Sequence, residues 1–84
     1  MKLKIFALRD QKIDQFMTPM AMQTPGQIVR MLQDEMTKDT THILAQHGED
    51  FELFELGEFD TDSGQLTGHA PKSVILISDL NSKA

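Results

Sequence analysis

The sequence predicts an α+β domain, a small and mainly antiparallel sheet of about four strands with one principal helix packed on one face. Three features carry that expectation. Apolar runs of strand type lie near 2–9, 51–59 and 73–78, a single stripe of helical period runs from 28 to 36, and turn formers cluster between them. The chain has 84 residues, 39% of them hydrophobic and none of them cysteine. One core is therefore expected over residues 1–80, with 81–84 a frayed tail and no disulfide or thiolate metal cluster.

Residues 2–9 place Leu3, Ile5 and Ala7 on one strand face and Lys2, Lys4, Phe6 and Leu8 on the other. Apolar residues of both parities near the middle predict an interior strand, its lysines reaching water at the start. Asp10-Gln11-Lys12 reads as a turn. Ile13 to Gln23 then reads as an extended segment, a second strand interrupted near Thr18-Pro19.

Thr24-Pro25-Gly26-Gln27 is the clearest local signal. Thr24 can cap a helix with its hydroxyl, Pro25 suits the first helical position, and Gln27 completes a capping box. The helix is predicted to run to about Lys38, with Ile28, Leu32 and Met36 on one stripe. Asp39-Thr40-Thr41 breaks it, another turn follows through His42–Ala45, and Gly48 ends that piece.

Between Phe51 and Phe59 the apolar parity changes at Leu53 and Phe54, which predicts a strand with a bulge. The turn formers Asp60–Gly64 join it to a hairpin partner at Gln65–Gly68. Beyond Ala70-Pro71, Ser73–Ser78 reads as a separate last strand. Its unbroken apolar run suggests burial on both faces, in a sheet centre or at a subunit interface.

Thirteen acidic against eight basic residues give a net charge of −5, which argues against a generic nucleic-acid coat. The layout is uneven. Residues 1–12 hold Lys2, Lys4, Arg9 and Lys12 against Asp10 alone, a local +3, whereas 49–62 hold Glu49, Asp50, Glu52, Glu55, Glu58, Asp60 and Asp62 and no cation. A charge dipole is expected unless the fold brings the two regions together.

No apolar segment approaches the ~20 residues of a membrane helix, the longest runs being Ile5–Leu8 and Val74–Ile77. A soluble, intracellular protein without membrane contact is expected.

No catalytic signature is present. Asp60-Thr-Asp62-Ser-Gly64 begins like a calcium loop, but the sixth and twelfth positions are Gln65 and Pro71, not Gly and Glu. His42, His47 and His69, with Glu49 and Asp50, offer metal ligands whose spacing fits turn histidines better, so neither metal nor cofactor is assigned. Glu55 and Glu58 form an acid pair with nothing in the sequence to split their roles. The methionines at 17, 20, 22, 31 and 36 suit either an adaptable groove or a small core, and core filling is the commoner use.

Met1–Asp10, the Phe16…Pro19 segment, Gln23-Thr24 with Arg30 in the helix, and above all His47–Asp60 resemble the small nonstructural protein of gokushoviruses, single-stranded DNA phages of the microvirus family. The resemblance covers roughly residues 1–68, with 51–60 its most specific part. It implies a nonstructural protein acting in viral DNA replication, in the host bacterial cytoplasm and outside the mature virion, assisting the switch toward single-stranded genome synthesis or packaging.

Two classes of function stand open. In the first, Lys2, Lys4, Arg9, Lys12 and Arg30 contact single-stranded DNA and Phe6 stacks on a base. In the second, the seven acids at 49–62 engage a viral initiator, a procapsid or a host replication protein without touching DNA. Enzymatic activity ranks last. A homodimer is expected from the small core and the apolar run at 74–77.

Overall fold

The computed structural model describes residues 1–81. The order is β1 (Lys2–Asp10), β2 (Gln15–Phe16), β3 (Met20–Met22), α1 (Pro25–Lys38), α2 (Ile43–Gln46), a 3-10 turn (Gly48–Asp50), β4 (Phe51–Asp60), β5 (Leu66–Leu76) and α3 (Ile77–Asn81). The fold is α+β. Its sheet is antiparallel in the order β2-β1-β4-β5, and β3 pairs the same edge of β1 as β2 does. Five segments thus fill four strand positions, because the expected break near Pro19 divides one strand into two.

β1 is interior, as its two-sided apolar character predicts. Along β1 the faces alternate. Phe6 and Leu8 turn toward the helices, where they form the core with Phe51 and Leu53 of the sheet, Ile28, Leu32 and Met36 of α1, Leu44 of α2, and Ile77 and Leu80 of α3. Leu3, Ile5, Ala7 and Arg9 turn the other way.

α1 begins as its sequence dictates. The Gln27 N–H donates to Thr24 Oγ1 at 3.3 Å, and Gln27 Oε1 accepts from the N–H groups of Thr24 at 3.3 Å and Gln23 at 2.9 Å. Those bonds satisfy donors a helix start leaves orphaned. At the other end the Asp39 N–H donates to the Glu35 carbonyl, and the Asp39 carboxylate accepts from the Thr41 hydroxyl and N–H, which ends the helix where the sequence predicts.

The parity change in β4 is real. Register shifts occur against β1 between Ile5 and Phe6, and against β5 at Leu53/Phe54 and Glu55/Gly57. The β4–β5 connection closes on Asp60, whose carbonyl accepts from the Gly64 N–H at 2.8 Å, with Gly64 at φ 75°.

Three expectations are corrected. Leu66–Leu76 is one continuous strand that passes through Pro71; as the sheet's edge, β5 tolerates a residue that cannot donate to a ladder. The run at 74–77 is therefore neither a separate strand nor a sheet centre: Val74 and Ile75 pack against the chain's own core, and Ile77 starts α3 fully buried. Gly48 opens the 3-10 turn where it was expected to end a helical piece. Of the expected tail, Asn81 closes α3 and 82–84 lie outside the described residues.

Candidate functional site

The antiparallel pairing of β1 with β4 lays the basic segment along the acidic one. Lys2 is opposite Asp60, Lys4 opposite Glu58, and Arg9 opposite Glu52. Cross-strand neighbours of opposite sign attract, so the +3 of the basic block is offset within the −7 of the acidic one. The expected dipole does not exist.

Individual contacts add to this offset. Lys4 Nζ lies 3.4 Å from Glu55 Oε1, and His69 Nε2 lies 2.9 Å from Glu55 Oε2. Burial pushes the Glu55 carboxyl up, but the hydrogen bonds from His69 and Lys4 outweigh it and hold the group below the usual glutamate range. Arg9 is salt-bridged to Asp14, and its guanidinium stands 5.7 Å above the Phe16 ring, which meets Phe54 edge-on at 5.5 Å. Asp14 reaches Arg9 from a left-handed turn at φ 59°.

Phe6 is a correction. It is 0% exposed at the centre of the core, so it has no face to offer a base. Alternation placed Phe6 beside the lysines correctly; what it could not say is that the helices cover the lysine-bearing face.

Among the described residues Lys2, Lys12 and Arg30 make no ion pair. They do not form a patch. Lys2 opens the nine residues of β1 and Lys12 lies just past their end, roughly 30 Å of strand away, and Arg30 sits exposed on α1.

The acids are also dispersed. Glu52 accepts from Gln11 Nε2 at 3.0 Å and from the Ser73 hydroxyl, and Asp62 holds the N-terminal amine at 2.9 Å. The Asp60 carboxylate accepts from the Asp62 N–H at 2.9 Å, which keeps it below the usual aspartate range. Glu58 is exposed, and with Lys2, Asp60, Gln65 and Thr67 it lines a shallow polar pocket of about 50 Å³. Glu49 and Asp50 lie beyond the other end of β4, on the 3-10 turn that precedes it.

That turn gathers His47, Glu49 and Asp50, whose ligand atoms all fall within 4.8 Å of one another. The three fit a divalent cation in type and number, but all come from one largely exposed turn. His42 and His69 do not join them. The His42 Nδ1 accepts from the Leu44 N–H at 3.1 Å, capping α2, while both ring nitrogens of His69 face oxygens of Glu55 and Ala70.

The methionines divide between both uses. Met36 is in the core and Met22 packs against it. Met17, Met20 and Met31, with Leu8, Leu32 and Ile43, line an open and mainly apolar groove of about 320 Å³, to which Glu35 and His42 add polar groups. Met17 is 45% exposed and Ile43 51%, so the groove opens to solvent. Met17 enters it because its N–H donates to the Leu8 carbonyl at 2.7 Å, pinning the Met17–Pro19 link against β1. Sequence periodicity could not find this groove, since its walls come from β1, the β2–β3 link, β3, α1 and α2.

The sequence model of a family described as Phage ORF5 protein matches residues 3–80. The chain belongs to that phage protein family. The match extends past Gly68, where the gokushovirus resemblance loosens, and takes in β5 and nearly all of α3. No curated protein and no solved structure matches the ORF5 chain. No helix among its described residues is long and apolar enough to cross a membrane.

Proposed function

We propose that this ORF5 family member is a nonstructural accessory of phage DNA replication that works by holding a protein partner in its methionine-lined groove. The groove is the observation that carries this function. Methionine side chains repack around apolar surfaces of varied shape, and an open trough between a helix and a sheet edge suits a short apolar helix or strand of a partner. The sequence-based alternative placed the contact on the acids of 49–62; the groove is preferred because those acids are spread along β4 and several already hold partners.

Direct contact with single-stranded DNA is the lesser reading, favoured by the free ammonium groups of Lys2 and Lys12 and by Arg30. It lacks a continuous cationic track and a free aromatic face beside it. The two readings separate in one pair of measurements. Anisotropy of labelled single-stranded DNA is expected to show no binding at physiological salt. Crosslinked capture from infected cells is expected to retain a phage or host replication protein that Met17→Lys with Met31→Lys loses while staying folded. DNA binding with a log-log salt slope of about −0.7 per phosphate contact, abolished by Lys2→Glu with Lys4→Glu, would instead establish the DNA reading.

A further inference from the structure

We propose that the helix-free face of the sheet is the interface of a homodimer in which two copies pack sheet on sheet. All the helical core residues meet the Phe6 side. The other face presents Leu3, Ile5, Phe16, Phe54, Phe59 and Leu66, joined across strands by the pairs Leu3↔Phe59, Phe59↔Leu66, Ala7↔Phe54 and Arg9↔Phe16. Leu66 is 68% exposed and Phe16 42%.

The pattern at the hairpin end is decisive. There the helix side of the sheet carries Lys2, Lys4, Glu58, Asp60 and Thr67, whereas the other side carries Leu3, Ile5, Phe59 and Leu66. A sheet that alternates in this way keeps its polar side in water and buries its apolar side. Within one chain the side chains of this face shield one another in part, Ala7 being 0% exposed and Leu3, Ile5, Phe54 and Phe59 half-buried, while Phe16 and Leu66 stay open to solvent.

Area and shape select a second copy as the occupant. Three long strands about 4.8 Å apart and near 30 Å long, with the five strand residues of β2 and β3 beside them, give a face of roughly 500 Å² in flat projection. Side-chain relief raises the accessible area toward the ~800 Å² per partner of an ordinary stable interface. The molecule is 40 × 25 × 16 Å, and a short peptide would leave most of a face of this area bare. A twisted sheet is matched by another of the same twist at about −30°, and a two-fold contact needs only one self-complementary patch. The contact differs from the one expected at 74–77, whose apolar side chains serve the chain's own core, and it is independent of the methionine groove.

Sedimentation equilibrium over a wide concentration range tests this. The wild type is expected at twice the 9.5 kDa chain mass. Leu66→Lys with Phe16→Lys, both at exposed positions, is expected to raise the dissociation constant by roughly 100-fold or more with an unchanged circular-dichroism spectrum. Leu66→Lys alone, the safer variant for folding, is expected to raise it about tenfold. Glu58→Lys, on the opposite face, should leave the mass unchanged. A monomeric wild type at every concentration, or a dimer indifferent to Leu66→Lys and to the double substitution, would overturn the proposal.

Discussion

Replacing Phe6 by alanine separates a core role from a base-stacking role in one experiment. Phe6 is 0% exposed and touches both the sheet and helical parts of the core, so truncation removes its transfer free energy and leaves a cavity. Together these cost about 3–5 kcal/mol. A domain of 84 residues holds roughly 4–13 kcal/mol in total, so the variant should retain at most about three quarters of its stability and, at the low end of that range, should be unfolded. With a urea m-value of about 1 kcal/mol/M, the midpoint by circular dichroism should fall by several molar or the transition should vanish. A stacking residue would behave oppositely, losing about 1–3 kcal/mol of DNA affinity with stability intact. A loss of stability below about 1 kcal/mol, well short of a large-to-small core substitution, would refute the placement of Phe6 and the side of the sheet the helices cover.

Two further outcomes follow from β4. A Cβ on Gly57 would lie 2.2 Å from the Thr67 carbonyl oxygen, so Gly57→Ala must push β5 away; a loss of about 1–3 kcal/mol is expected, with amide exchange faster at Phe59 and Leu66 than in α1. Because the folded state lowers the Glu55 pKa, the Lys4–Glu55–His69 contacts stabilise the fold above the ordinary glutamate pKa and lose that contribution as pH falls through the lowered value. Glu55→Gln should flatten the acid limb of the stability profile by less than about 1 kcal/mol, and an unchanged slope below pH ~5 would contradict the assignment.

Local chemistry made much of this fold legible. The capping box, the break at Asp39, the interruption at Pro19 and the bulge near Phe54 each depend on residues a few positions apart, and each sits where the sequence puts it. What failed depends on distant partners. The run Val74–Ile77 has no period of its own, so only the core it meets decides that the strand ends at Leu76 and Ile77 turns into a helix. The charge blocks are plain in the sequence, yet their offset needs the β1–β4 register across some fifty residues. Phe6 was misplaced because alternation sorts side chains into two faces without saying which the helices will occupy. The methionines were legible as groove or core, but which of them line a groove was not, because its lining is assembled from β1, the β2–β3 link, β3, α1 and α2.

The pairing of a basic strand with an acidic one also matters before the structure exists. During synthesis in quantity, two copies of β1 pairing in parallel register would set Lys2, Lys4 and Arg9 against the same cations, and two copies of β4 would set carboxylates against carboxylates. Each strand repels itself and attracts the other. Opposed charge thus serves as an address that directs β1 to β4 and keeps nascent chains from joining through identical strands, a safeguard fit for a chain whose central strands are this apolar.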